Sequence, residues 1–189
     1  QLLRGTEFDA AIEVSDSAIY KIDLSADQKR LLLTTSVGEV LHFDLGTKTI
    51  LSSFSGTKEQ PIIQAFFAKN DDYAVAHGGM RYGDVGLWNL EKESLEATVK
   101  LDRVAEVVVA DDGNQVAIAA YMQGAILWDL EDLAERSLTK GVAGKVWFSG
   151  EKILIATRTN VQRGLVRSEE GEIPKLKRPS LIVWDTELN

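Results

Sequence analysis

The sequence predicts an all-β chain made of one antiparallel four-stranded sheet written four times, and three observations carry that prediction. The first is a recurring string of apolar residues, an aromatic, and an Asp or Asn. It reads VLHFDL at 40–45, VGLWNL at 85–90, AILWDL at 125–130 and LIVWDT at 181–186. Its aromatics, Phe43, Trp88, Trp128 and Trp184, are separated by 45, 40 and 56 residues. The second is a turn signature roughly 20 residues upstream of the string in the first three copies, and farther upstream in the fourth, which carries an insertion: LSADQKRLLL from Leu24, FAKNDDYAVA from Phe67, VADDGNQVAIA from Val109 and FSGEKILIA from Phe148. A fixed period near 40 residues marks a repeat architecture. The third is the consecutive run Leu31-Leu32-Leu33, which cannot point to one side of a sheet, so such a sheet must be covered on both faces.

The elements follow in order. Each copy reads as strand a, turn, strand b, turn, strand c, with a fourth strand d in three copies. In the first copy these fall at about 18–24, 30–35, 39–45 and 50–55; the second copy runs from Ile62 to Val99, the third from Val104 to Leu138, and the fourth begins near Gly144. Apolar runs of this length bounded by Asp, Asn, Gly and Ser suit strands, because those residues reach turn conformations cheaply. Residues 130–135 are the single helical candidate. The blades so defined occupy 18–57, 58–100, 101–141 and 142–189, with 1–17 a stray outer strand of an adjacent or closing blade.

Composition narrows the function classes. The 189 residues contain no Cys, which excludes a catalytic thiol, a disulfide framework and a thiolate zinc site. Twenty-one basic and 29 acidic residues give a net charge of −8, the wrong sign for a chain that mainly binds phosphate backbones or anionic lipid. No 20-residue apolar run suggests a membrane partner. The chain starts at Gln1 rather than Met, so a processed chain or part of a longer one is expected.

The phased strings and turns resemble the WD-repeat family, whose unit is a four-stranded blade of a β-propeller. Trp88-Asn89, Trp128-Asp129 and Trp184-Asp185 match the family's terminal dipeptide, and Phe43-Asp44 is a diverged copy. The resemblance spans 18–189. It implies a non-catalytic scaffold that presents loops to other proteins in a multiprotein assembly, in the cytoplasm or nucleus, with no cofactor. The chain departs from the family where a Gly-His dipeptide should precede strand a. It departs again where an Asp should stand six residues before the Trp, a place held by Val37, Tyr82, Met122 and Arg178. The hydrogen-bonded tetrad of that family is therefore not available.

About four repeats are fewer than the seven usual in the family, so an incomplete ring is expected. Residues 7–14 (EFDAAIEV) could close a four-bladed ring, or be the last strand of an upstream blade in a longer propeller; alternatively another copy or a partner completes the ring.

Few constellations carry chemistry. His42 reads as a half-exposed strand residue. The loop after His77 is glycine-rich but leads into a strand, so it lacks the helix terminus that holds phosphate. Arg81 and Tyr82 at its tip, together with Tyr121, are candidate partner contacts, since Tyr and Arg are enriched in binding hot spots. Asn70-Asp71-Asp72 and Asp111-Asp112-Gly113 lack the ligand spacing of a calcium loop and read as turns. Lys21, Asp23, Gln64, Glu106 and Lys145 on strand a read as paired or solvated groups, and no metal site is expected.

The insertion at 158–178 carries Arg158, Arg163, Arg167, Lys175, Lys177 and Arg178 against three acidic residues, a charge of +3 beside −11 for the rest. It is a candidate basic arm for an acidic protein segment, or alternatively for RNA. In a WD-type ring it would share a face with Lys58, Arg103 and Lys140. A propeller hydrolase with a channel metal is the remaining alternative.

Overall fold

The apolar runs form strands, and the turns between them are held by their own polar side chains. A computed structural model describes residues 13–79, 83–150, 152–157 and 180–185. The first sheet contains β1 (Ile19–Leu24), β2 (Arg30–Thr35), β3 (Glu39–Asp44) and β4 (Thr49–Ser55). The second contains β5 (Gln64–Ala68), β6 (Tyr73–His77), β7 (Val85–Asn89) and β8 (Ser94–Val99). The third contains β9 (Val104–Val109), β10 (Gln115–Ala120), β11 (Gly124–Asp129) and β12 (Glu135–Ser137). The fourth has three described strands, β13 (Ala143–Ser149), β14 (Lys152–Thr157) and β15 (Ser180–Asp185). Every sheet is an antiparallel meander in sequence order. The fold is all-β, each sheet touches its sequence neighbours, and among the described residues the ring is not closed.

The dipeptide that marks each repeat has a local role. Its polar residue caps the turn leaving strand c: Asp44 Oδ1 accepts from Thr47 N at 2.6 Å, Asn89 Oδ1 from Lys92 N at 2.8 Å, and Asp129 Oδ1 from Glu131 N at 2.8 Å. The turn before strand b is built the same way, with Ser25 Oγ accepting from Arg30 N at 2.8 Å and Asp112 Oδ1 from Asn114 N at 2.9 Å. Both acidic stretches are turns, as their sequences indicate: Asp72 N bonds to Lys69 O at 3.2 Å in the first and Gly113 N to Ala110 O at 2.8 Å in the second.

The helix expected at 130–135 does not form. Asp129 N bonds to Ala134 O at 2.9 Å, Asp132 Oδ1 takes Ala134 N, and Leu133 sits at φ +62°, so the segment is a tight turn entering β12. Six residues are too few to repay helix nucleation, and two Asp side chains compete for the backbone donors.

Packing follows one phase through all four copies. Trp88 joins the cluster between the first and second sheets with Leu32, Val40 and Phe54. Trp128 lies in the cluster between the second and third sheets with Val85, Leu87 and Val99, and Trp184 with Ile182 between the third and fourth, against Ala125 and Leu127. The strand-c aromatic therefore faces the preceding sheet. The residues one and three before it face the following sheet. Phe43 keeps this phase: it is buried with Leu33, Leu41 and Val14 on the side of the first sheet away from the second.

His42 and His77 are buried at 5% exposure, which corrects the half-exposed expectation for His42. His42 is one residue before Phe43, so it turns to the second sheet and meets the Phe67 ring edge-on at 5.8 Å. Its place in the repeat, which a single strand cannot reveal, decides its burial.

Candidate interaction face

In a four-stranded meander, the loops from strand b to c and from strand d to the next strand a emerge at one end. Here that end collects 36–38, 56–63, 78–79, 83–84, 100–103, 121–123 and 138–142, and β14 ends and β15 begins there. One device fixes these loops. Gly38, Gly83 and Gly124 each lie so close to the linker leaving their own blade that an added Cβ would strike Pro61, Leu101 O and Thr139 O respectively. Gly124 also holds φ +90°, a conformation side-chain-bearing residues rarely adopt. The linker entering the third blade is tied to that blade's own b-to-c turn at the same end, where Asp102 N donates to Gln123 Oε1 at 3.0 Å.

The tips of this framework carry exposed apolar and basic side chains. Val37 and Met122 stand exposed on b-to-c turns of the first and third blades, and Ile63 is exposed on the linker into the second. The Arg103 guanidinium lies 6.0 Å from the Tyr121 ring centroid, and Tyr121 N donates to Arg103 O at 2.8 Å. Lys58 and Lys140 are exposed on the same end. Of the contact candidates named from sequence, Tyr121 lies at this end. Arg81, Tyr82, Arg158, Arg163, Arg167, Lys175, Lys177 and Arg178 lie outside the described residues, as do 1–12. The exposed places of Val37 and Met122 on these turns were not read from the sequence. Their signal was an apolar residue at a turn position where the WD pattern places Asp.

The innermost strands hold pinned charges. Asp23 Oδ2 accepts from Phe67 N at 2.8 Å, joining the first two sheets, and burial raises the Asp23 carboxyl above its ordinary value. Lys145 pairs with Glu106 between the last two. Lys21 and Asp23 alternate along β1, so the inner wall mixes signs.

The opposite end has an open cavity of about 600 Å³ between the first and second sheets, lined by Arg30, His42, Ser52, Asp71, Asn89 and Lys92 among others. Asp71 there takes Ala26 N at 2.9 Å and lies 3.7 Å from the Arg30 guanidinium, strapping the two blades together. His42 Nδ1 lies 3.3 Å from Ser52 Oγ while Nε2 is buried with no hydrogen-bond partner, and desolvation lowers its pKa. His77 Nδ1 accepts from Gly79 N at 3.1 Å, and burial, helped by the Lys21 charge, brings its pKa down to about 4. Both rings are therefore neutral at pH 7. Among the described residues, no group of three or more His, Asp or Glu could hold a metal ion, and no helix is long and apolar enough to cross a membrane.

No family model and no curated protein matches the chain. Among solved structures it is similar to hydrazine synthase of Kuenenia stuttgartiensis, a β-propeller-containing protein, with 12% identity and a TM-score of 0.63. The match covers 95% of this chain and 49% of that one, so the chain spans about half the length of this neighbour. At such identity the likeness carries the fold alone: a propeller-type stack of antiparallel sheets.

Proposed function

We propose that this chain is a WD-repeat-type scaffold that docks another protein on its loop face, without catalysing a reaction, in the cytoplasm or nucleus. The phased dipeptides Phe43-Asp44, Trp88-Asn89, Trp128-Asp129 and Trp184-Asp185 support the family reading. The observation that carries the docking role is the set of exposed apolar tips, Val37, Ile63 and Met122, beside the Arg103–Tyr121 contact, on loops already locked by Gly38 and Gly124. Loops that are ordered beforehand lose little entropy on binding, and Tyr and Arg are enriched in binding hot spots. Arg103, Lys58 and Lys140 favour a partner segment that mixes apolar and acidic residues. An RNA-binding arm at 158–178 lies outside the described residues.

The test is site-specific photo-crosslinking in cells. A photoreactive residue at Val37 or Met122 is expected to capture a defined protein. The same residue at Lys48 or Glu93, on turns of the opposite end, is expected to capture none of it. Capture should fall at least tenfold with Arg103→Glu. Equal capture from both ends, or none from Val37 and Met122, overturns the reading.

A further inference from the structure

The outer strand of a sheet leaves one row of backbone N–H and C=O groups unpaired, and native sheets protect such an edge with charge or by keeping it short. The second and third blades do so. β8 pairs with β7 through a one-residue slip, with Leu87 opposite Ala97 and Trp88 opposite Leu95, and the extra residue is Glu96, held by Lys92 at 3.2 Å. β12 has three residues, two of them Glu135 and Arg136. β4 has the same slip, His42 opposite Ser52 and Phe43 opposite Ile50, but its extra residue is Leu51. Its seven residues include neither a charge nor a proline, and Ile50 and Leu51 stand 46% and 49% exposed. Among the described residues, no strand pairs with its outer side.

This open edge borders the cavity between the first and second sheets. Leu51 and Ser52 line the cavity from β4; Ser52 and its neighbour His42 are buried, and His42 Nε2 has no partner. The facing wall is the c-to-d turn of the second blade. Arg30 is taken by Asp71 and Lys92 by Glu96, whereas Asp72, Glu91 and Glu93 are exposed and make no ion pair among the described residues. The cavity is therefore polar within and anionic at its mouth.

We propose that β4 receives an extended segment of another protein as a fifth strand of the first sheet, with a Lys or Arg of that segment over the cavity. Main-chain pairing with an edge strand supplies the affinity, and alternate side chains of the added strand turn to one face, where a pocket selects among them. The face towards the second blade meets Leu51, Ser52 and three free carboxylates. Those groups suit an apolar stem that ends in a positive charge. The loop face, with Arg103, Lys58 and Lys140, favours the opposite charge at the other end of the blades, so neither site stands or falls with the other.

Fluorescence anisotropy tests it with a labelled eight-residue peptide that alternates Val and Thr and carries Lys in place of one central Thr. The intact chain is expected to bind it saturably. Replacing that Lys by Glu should weaken binding at least tenfold. Methylating one of the peptide's two alternate sets of backbone nitrogens should abolish binding, and methylating the other should leave it, which is the mark of edge pairing. Leu51→Lys, at an exposed position, is expected to lose at least tenfold, and Leu95→Lys on β8 to lose nothing, both with an unchanged far-UV spectrum. Glu91→Gln together with Glu93→Gln should erase most of the preference for the Lys peptide over the Glu peptide. No binding by the wild-type chain, equal binding of the two peptides, equal loss from both methylated sets, or self-pairing through β4 in place of peptide binding each overturn the proposal.

Discussion

The Trp88 indole stacks on the Phe54 ring at 4.7 Å with 20° between their planes, closing the first sheet onto the second. Trp128 occupies the equivalent place one blade on, yet it is 1% exposed whereas Trp88 is half-buried beside a small cavity of about 210 Å³ that also touches Gly86 and Leu95. A position already bordered by empty space loses less on truncation than one packed on every side.

Trp128→Ala is therefore expected to cost about 3 to 5 kcal/mol, and Trp88→Ala clearly less, in urea unfolding followed by far-UV circular dichroism. Equal losses would contradict the difference in packing.

Acid should weaken the fold first through its buried histidines. The folded His77 has a pKa of about 4 against 6.5 for the ordinary imidazole. Between these values the unfolded chain takes a proton that the folded chain refuses, so stability present above pH 6.5 is lost as pH falls towards 4. Stability at pH 5 should be about 2 kcal/mol below that at pH 7. His42, also lowered by desolvation, acts in the same direction. Asp27 and Asp44, lowered by hydrogen bonds from Ser25 and Thr47, lose their contribution only below the ordinary carboxylate value of 3.8. His77→Asn keeps an acceptor for Gly79 N and should flatten most of the slope between pH 7 and 5 in denaturant titrations.

The two charged contacts along the inner strands should differ in worth. Asp23→Ala strands the Phe67 N–H between two sheets and is expected to cost about 1 to 3 kcal/mol, at low and high salt alike. Glu106→Gln breaks the pair with Lys145, whose side chain is 54% exposed, and should cost under about 1 kcal/mol, with the loss shrinking in 1 M salt. Thermal melts of both variants at two salt concentrations make the comparison.

Much of this molecule is local, and that part was legible in the residues. Strands begin and end where apolar runs meet Asp, Asn, Gly and Ser: β2 at Arg30–Thr35 falls where the sequence puts it, and the other strands of that sheet come within a residue of it. Asp44, Asn89 and Asp129 act within three residues of themselves, so their spacing from the aromatic was enough to mark the turns. What the residues alone could not show is which side of each strand meets which neighbour. An alternating strand is equally satisfied either way up, and only the stacking of four sheets fixes that Trp88, Trp128 and Trp184 look backwards while His42 and Leu87 look forwards. The same stacking buried two histidines and set Gly38, Gly83 and Gly124 against linkers some 15 to 23 residues away in sequence. It also left Leu181 and Val183 without a cover. Burial and close approach are properties of pairs of surfaces, and a chain declares its pairs only when it is folded.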